Sequence, residues 1–131
     1  MEAARPTVVI ADDHPALLEA VRTLLASEFE VVAAASDGLD LVGQAHAHSP
    51  RLLVVDIEMP GISGLAAIER LRAEGCESIP VVLTSFADAQ LAKTALRRGA
   101  RGFVVKDRMG EDLIPALHSA LAGETFVSTL A

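Results

Sequence analysis

The stretch Leu52-Leu53-Val54-Val55-Asp56-Ile57-Glu58-Met59-Pro60-Gly61-Ile62-Ser63-Gly64, residues 52–64, decides the fold. Its four apolar residues run directly into an aspartate, and the Pro60-Gly61 pair cannot continue a strand or a helix. A short apolar run bounded by turn residues is typical of a strand that is covered on both faces of a parallel sheet. The stretch therefore predicts a buried strand that carries Asp56 at its carboxyl end.

Similar apolar runs recur along the chain and alternate with helical patterns. Strands are predicted at residues 7–11, 29–35, 52–55, 81–83 and 103–105. A segment with apolar residues at helical spacing follows each strand, and Ser63 and Asp88 are expected as helix N-caps. Pro115 lies inside the last helical pattern, so we expect it to kink that helix or delay its start. Five strands alternating with five helices predict an α/β fold, in which helices cover both faces of a five-stranded parallel sheet.

The length and composition are those of one ordinary domain. We expect an N-terminal extension at 1–6, the domain at 7–123, and at 124–131 the start of a linker to an output domain outside this chain. The formal net charge of −7 argues against nucleic-acid binding by these residues themselves. A single cysteine and the lack of a long apolar segment predict a cytoplasmic protein that does not insert in a membrane.

Polar side chains follow four of the five predicted strands, where each strand ends. They are Asp12 and Asp13, Asp56, Thr84 with Ser85, and Lys106. The carboxyl ends of parallel strands share one edge of a sheet, and ligands bind at that edge. A single aspartate there is usually a turn former or a helix cap. The convergence of carboxylates, a hydroxyl and an ammonium at one edge instead favours a functional site.

The residue types indicate phosphoryl chemistry with a divalent cation. Clustered aspartates repel one another, so they need a counter-cation or must hold protons, and Mg²⁺ binds carboxylate and phosphate oxygens. An aspartate can itself act as the nucleophile and form an aspartyl phosphate. Lys106 and the Thr84 hydroxyl would then stabilise charge on the transferred group.

Together these residues resemble a known family. Asp12-Asp13, Asp56, Thr84 and Lys106 at the ends of the first, third, fourth and fifth strands are similar to the receiver domain of bacterial two-component response regulators. The resemblance covers nearly the whole chain. It implies a flavodoxin-like, doubly wound (βα)5 fold with strand order 2-1-3-4-5.

Four further motifs resemble the NarL/FixJ subfamily, whose output domain is a LuxR-type helix-turn-helix. They are Asp12-Asp13-His14-Pro15, Asp56-Ile57-Glu58-Met59-Pro60-Gly61, Gly102-Phe103-Val104-Val105-Lys106-Asp107 and Ala122-Gly123-Glu124.

The resemblance implies a phosphorylation site and a metal site. Asp56 would accept a phosphoryl group from a sensor histidine kinase. Asp13, Asp56 and the main-chain carbonyl of Glu58 would bind Mg²⁺ (or Mn²⁺) directly, and Asp12 would act largely through water.

The resemblance also implies which residues respond to the phosphoryl group. Thr84 and Lys106 would contact its oxygens, and Phe103 would be the switch residue. Glu58 and Phe86 would tune the phosphoryl lifetime. Phe103 stands where relatives often have tyrosine, so only its packing would report the switch.

The resemblance implies a signalling domain that is not an enzyme beyond its own phosphorylation and dephosphorylation. A homodimer is expected as one possible assembly, and DNA would be bound only through a C-terminal helix-turn-helix outside these residues. Two alternatives stay open: a degenerate receiver acting as a protein interaction module, and a haloacid-dehalogenase-like phosphohydrolase. The second normally has an aspartate two residues after its nucleophile, where this chain has Glu58.

Overall fold

The computed structural model describes residues 4–130, which form six β-strands and five α-helices. In chain order they are β1 (Thr7–Ala11), α1 (Pro15–Leu25), β2 (Glu30–Ala35), α2 (Gly38–His48), β3 (Leu52–Val55), α3 (Gly64–Ala73), β4 (Ile79–Thr84), α4 (Ala89–Arg97), β5 (Gly102–Val105), α5 (Met109–Leu121) and β6 (Phe126–Val127). A 3-10 turn, Lys106–Arg108, connects β5 to α5.

The strands form one parallel sheet in the order β2-β1-β3-β4-β5-β6. The expected order 2-1-3-4-5 is confirmed, but the expected number of five strands is wrong. The sixth strand is short and pairs Phe126 with Gly102 and Val127 with Phe103. Two apolar residues followed by Ser128 give too short a run to predict a strand, so this pairing depends on the exposed edge of β5 rather than on a local pattern.

Apolar side chains fill both faces of the sheet. On one face Val8, Ile10 and Val54 pack with residues of α1 and α5, including Leu25 and Leu117. On the other face Val9, Leu53, Val55 and Phe103 pack with residues of α2, α3 and α4, including Leu41, Ile68 and Ala95. β3 is buried along its whole length. The sheet is therefore held rigidly, which fixes the positions of the residues that leave its carboxyl edge.

Helix ends follow the sequence signals closely. Ser63 Oγ accepts a 3.1 Å hydrogen bond from the Ala66 N–H at the start of α3. Asp88 accepts hydrogen bonds from the N–H groups of Gln90 and Leu91 at the start of α4, at 2.8 and 3.1 Å. Both N-caps are confirmed.

Pro115 does not delay α5, which begins at Met109 and runs through it. Proline cannot donate the hydrogen bond to the carbonyl one turn earlier, which belongs to Glu111. Pro115 and Glu111 both lie on the exposed side of the helix, where water can solvate that carbonyl.

Within residues 4–130, no helix combines the length and the apolar character that a bilayer crossing requires.

Candidate functional site

Asp12 and Asp56 lie side by side because β1 and β3 are hydrogen-bonded neighbours. Ala11 pairs with Val55 at the end of the ladder, and each aspartate is the next residue in its chain. The Asp56 N–H donates to the Ala11 carbonyl at 3.0 Å, and the Asp12 N–H donates to the Ala35 carbonyl of β2 at 3.0 Å. β1 is also where the order of the strands reverses, so the two carboxylates lie at the topological switch point of the sheet.

Lys106 brings its ammonium to both carboxylates. Its Nζ lies 2.8 Å from Asp12 Oδ2 and 3.6 Å from Asp56 Oδ2. Asp12 and Asp56 are 4% and 5% exposed, so two buried negative charges share one partly buried cation. Three of the predicted site residues therefore meet at the carboxyl edge of the sheet.

The Asp56 carboxyl is electrostatically crowded. Burial raises its pKa above the usual value, and the neighbouring Asp12 charge raises the pKa further. The Lys106 ammonium and a 3.4 Å hydrogen bond from the Glu58 N–H oppose that rise. The site would gain from a second cation, because one ammonium does not offset both carboxylates.

Asp13 and His14 extend the cluster toward solvent. The His14 ring Nδ1 lies 3.1 Å from Asp12 Oδ1 and 3.0 Å from Asp13 Oδ1. The His14 backbone N–H also donates to Asp12 Oδ1 at 2.9 Å. Asp12, Asp13 and His14 each have one potential metal-ligand atom within 4.8 Å of those of the other two residues.

A pocket of about 140 Å³ opens over Asp56. Its lining comes from the ends of several strands and the loops after them: Asp13, His14, Asp56, Glu58, Ser85, Phe86 and Lys106. The Phe86 ring is 46% exposed at the rim. A small anion in this pocket would meet Asp56 and Lys106 together.

Thr84 and Phe103 lie below this pocket rather than in its wall. Thr84 is fully buried, and its Oγ1 accepts a 3.2 Å hydrogen bond from the Phe86 N–H. Phe103 is fully buried among the residues that pack under α4. Ser85 lines the pocket at the place where Thr84 was expected. A contact between Thr84 Oγ1 and an anion in this pocket would therefore require the hydroxyl to turn away from the Phe86 N–H.

The loop after Asp56 is held close to the strand end by Gly64. The Gly64 N–H donates to the Ile57 carbonyl at 2.8 Å. A Cβ at this position would clash with the Asp56 carbonyl oxygen and approach Val55 Cγ1 to 2.8 Å. Only glycine lets α3 begin this close to the phosphoacceptor candidate.

The donor set fits a hard divalent cation. Asp12 and Asp13 have carboxylate oxygens close together, and Asp56 lines the same pocket as Asp13; carboxylate oxygen is the ligand type that Mg²⁺ prefers. The same residues leave room for an anion beside Lys106.

The chain matches the family model described as "Response regulator receiver domain" over residues 8–118. It belongs to that family.

The receiver domain has curated relatives of greater length. It is 38% identical over 124 residues to the nitrate/nitrite response regulator protein NarL of Escherichia coli (strain K12), with 93% of this chain and 57% of the relative aligned. It is 37% identical over 120 residues to the transcriptional regulatory protein DesR of Bacillus subtilis (strain 168), covering 90% and 59%. The chain thus spans little more than half the length of these relatives.

A solved structure has the same fold as this receiver domain. The signal receiver domain of the putative response regulator NarL from Mycobacterium tuberculosis superposes with a TM-score of 0.88 at 27% identity, covering 93% of this chain and all of that one. The sequence-based assignment to the response regulator receivers of the NarL and LuxR type is confirmed.

Sequence reasoning missed three features of the site. The motif Asp12-Asp13-His14-Pro15 does not indicate that the His14 ring contacts both acidic side chains. A contact with the phosphoryl group is predicted for Thr84 and not for Ser85, yet Ser85 lines the pocket. The bond between Asp112 and Ser128 has no sequence signal, because nothing local in the sequence links α5 to the residues after it.

Proposed function

We propose that this receiver domain accepts a phosphoryl group on Asp56 from the phosphohistidine of a sensor histidine kinase. The bond from phosphorus to the imidazole nitrogen breaks, its electron pair stays on the imidazole, and a bond to an Asp56 carboxylate oxygen forms. The observation that supports this best is the placement of Lys106 Nζ 3.6 Å from Asp56 Oδ2 beside an open pocket. An ammonium there would offset charge on the transferred group.

A bound Mg²⁺ (or Mn²⁺) would supply positive charge that the site lacks. Asp12, Asp13, Asp56 and the Glu58 carbonyl are the proposed ligands. The crowding that raises the pKa of Asp56 supports the proposal, because a cation would relieve it. Thr84 and Lys106 are proposed to contact the phosphoryl oxygens, and Phe103 to respond by repacking. Glu58 and Phe86 are proposed to tune the lifetime from the rim of the pocket.

Phosphorylation can be tested directly. Purified protein with Mg²⁺ and acetyl phosphate should gain one phosphoryl group by intact-mass spectrometry, and hydroxylamine should remove it because an acyl phosphate is labile. Asp56→Asn should abolish the gain. Asp40→Asn, a change at an exposed aspartate of α2, should retain it. Undiminished labelling of the Asp56 variant would refute the assignment.

The same assay separates the two alternatives. A phosphorylation-independent interaction module would stay unlabelled while folded. A phosphohydrolase would release phosphate from a generic phosphomonoester with turnover, whereas a receiver would release only the group that it carries.

We further propose that the receiver controls DNA binding through a LuxR-type helix-turn-helix domain outside these 131 residues. The longer relatives, one of them named a transcriptional regulatory protein, support this output. Phosphotransfer from a purified sensor kinase, followed by DNA retardation with the complete protein, would test it. Sedimentation with and without a phosphoryl mimic would test the expected homodimer.

A further inference from the structure

The residues after α5 fold back onto the edge strand of the sheet. Beyond the β5–β6 pairing, the Ser128 N–H donates to the Phe103 carbonyl at 2.9 Å. In return the Val105 N–H donates to Ser128 Oγ at 3.1 Å. Ser128 is 3% exposed, so this segment is packed against β5 rather than extended into solvent.

Asp112 of α5 connects this segment to the turn that follows β5. Its Oδ2 accepts hydrogen bonds from Ser128 Oγ at 2.7 Å and from Arg108 Nε at 2.9 Å. Its Oδ1 accepts a 3.3 Å hydrogen bond from Arg108 Nη2. Asp112 is 7% exposed, and these bonds lower its pKa, the Arg108 contact most of all. A buried carboxylate with three donors is a rigid anchor.

Lys106 lies between two residues, Val105 and Arg108, that are both connected to Asp112 by hydrogen bonds. On its N-terminal side Val105 is bound through Ser128, and on its C-terminal side Arg108 is bound directly to Asp112. The 3-10 turn Lys106–Arg108 is therefore fixed at both ends by one carboxylate. The direction in which the Lys106 side chain leaves the sheet depends on that turn.

We propose that Asp112 and Ser128 are positioning residues for Lys106, and that they couple the phosphoryl site to the C-terminal segment 126–130. The inference rests on the proposed role of Lys106 at Asp56. In this proposal the hydrogen bonds of Asp112 orient the Lys106 ammonium, and segment 126–130 contributes one of those bonds through Ser128.

Coupling of this kind is reciprocal. If the Ser128 hydrogen bonds favour binding of an anion beside Lys106, then binding of that anion favours those bonds by the same factor. A phosphoryl group on Asp56 would thus stabilise the first residues of the segment that leads out of the domain. The order of segment 126–130 would then depend on whether Asp56 is phosphorylated.

Beryllofluoride with Mg²⁺ is a suitable probe, because it mimics an aspartyl phosphate without phosphoryl transfer or hydrolysis. Its affinity can be measured by ¹⁹F NMR for wild type, Ser128→Ala, Ser128→Thr and the control Ser119→Ala, which lies in the last turn of α5 outside this network. We expect Ser128→Ala to weaken beryllofluoride by about fivefold or more. Ser128→Thr keeps the hydroxyl and should restore most of the affinity.

A second readout separates positioning from general damage. Mg²⁺ affinity in the absence of beryllofluoride should not fall in Ser128→Ala, because the proposed metal ligands follow β1 and β3, and a displaced Lys106 ammonium would compete less for Asp12 and Asp56. A purely structural defect would weaken both ligands together.

Hydrogen exchange on the wild type supplies a test that needs no variant. Beryllofluoride should slow exchange of the Ser128 amide. Unchanged exchange there, or an unchanged beryllofluoride affinity in Ser128→Ala, would overturn the coupling while leaving the phosphoacceptor proposal intact. Failure of wild type to bind beryllofluoride more tightly than Asp56→Asn would instead overturn the phosphoacceptor proposal, and this inference with it.

Discussion

Lys106 Nζ lies 2.8 Å from Asp12 Oδ2, although β3 and β4 separate the strands that these two residues follow. The lysine side chain therefore reaches across the carboxyl edge of the sheet and passes over the end of β3, where Asp56 lies. This single ion pair organises the electrostatics of the site, because it brings one positive charge to two buried carboxylates.

Removal of that charge should destabilise the protein. Lys106→Met keeps an unbranched side chain without the ammonium and leaves Asp12 and Asp56 buried without their cation, at a cost of about 3 kcal/mol in unfolding free energy. Urea denaturation measures the change, and added Mg²⁺ should recover part of it by binding the native state. The control Lys93→Met, at an exposed position of α4, should have little effect. Equal urea midpoints for the two variants would contradict the model of the site.

Replacement of Asp56 should have the opposite effect on stability. Burial and the Asp12 charge raise the pKa of Asp56, so between about pH 3.8 and its native pKa the native state binds more protons than the unfolded chain. Stability contributed by this group therefore falls as pH rises through that window. Asp56→Asn should be more stable than wild type at pH 7 without Mg²⁺, and the gap should shrink as pH is lowered. Urea titrations at several pH values measure the gap; a gap that widens on acidification would contradict the assignment.

The pKa of Asp112 is shifted in the direction opposite to that of Asp56, so its effect on stability has the opposite pH dependence. The bonds from Arg108, and after them the bond from Ser128, lower the pKa of Asp112 below its usual value near 3.8. Its stabilisation is complete above that value and is lost as pH falls through the native pKa. Asp112→Asn should cost about 2 kcal/mol at neutral pH, because it weakens hydrogen bonds to a buried charge. The deficit relative to wild type should stay constant from pH 7 to 5, and a steady narrowing over that range would count against the buried ion pair.

The glycine at the start of α3 should be more sensitive than a glycine inside α2. Gly64→Ala places a methyl group against the Asp56 backbone, and overpacking of this kind costs about 1–3 kcal/mol. The same change should weaken beryllofluoride binding, since it displaces Asp56. The control Gly43→Ala meets open space on an exposed helix face and should stabilise by about 0.5–1 kcal/mol. Urea denaturation ranks the two, and similar effects would show that Gly64 tolerates a side chain.

Much of this geometry could be predicted, because it depends on local patterns and on one topological rule. The apolar run before Asp56 and the polar residues after β1 and β5 are visible in the sequence, and parallel strands must bring their ends to one edge. The caps of α3 and α4 are equally local. The meeting of Asp12, Asp56 and Lys106 follows from these patterns.

The remaining features depend on contacts between residues far apart in the chain or on rotamers. No local pattern shows that Ser128 would bond to Asp112 and Val105, so the sequence predicts the start of a linker where the structure has β6. The direction of the Thr84 hydroxyl is a choice between rotamers, and the backbone N–H of Phe86 decides it. The His14 ring faces the acidic pair rather than solvent alone, because two carboxylates attract it.

The hydrogen bond from the Phe86 N–H to Thr84 Oγ1 has an optical consequence. If Thr84 turns toward a phosphoryl group, that N–H loses its acceptor, and we expect the backbone that carries the exposed Phe86 ring to shift. The chain contains neither tryptophan nor tyrosine, so its intrinsic fluorescence is very weak. A Phe86→Trp substitution would make this loop the sole bright fluorophore, and the occupancy of the pocket could be followed as a change in light emitted from the surface of the molecule.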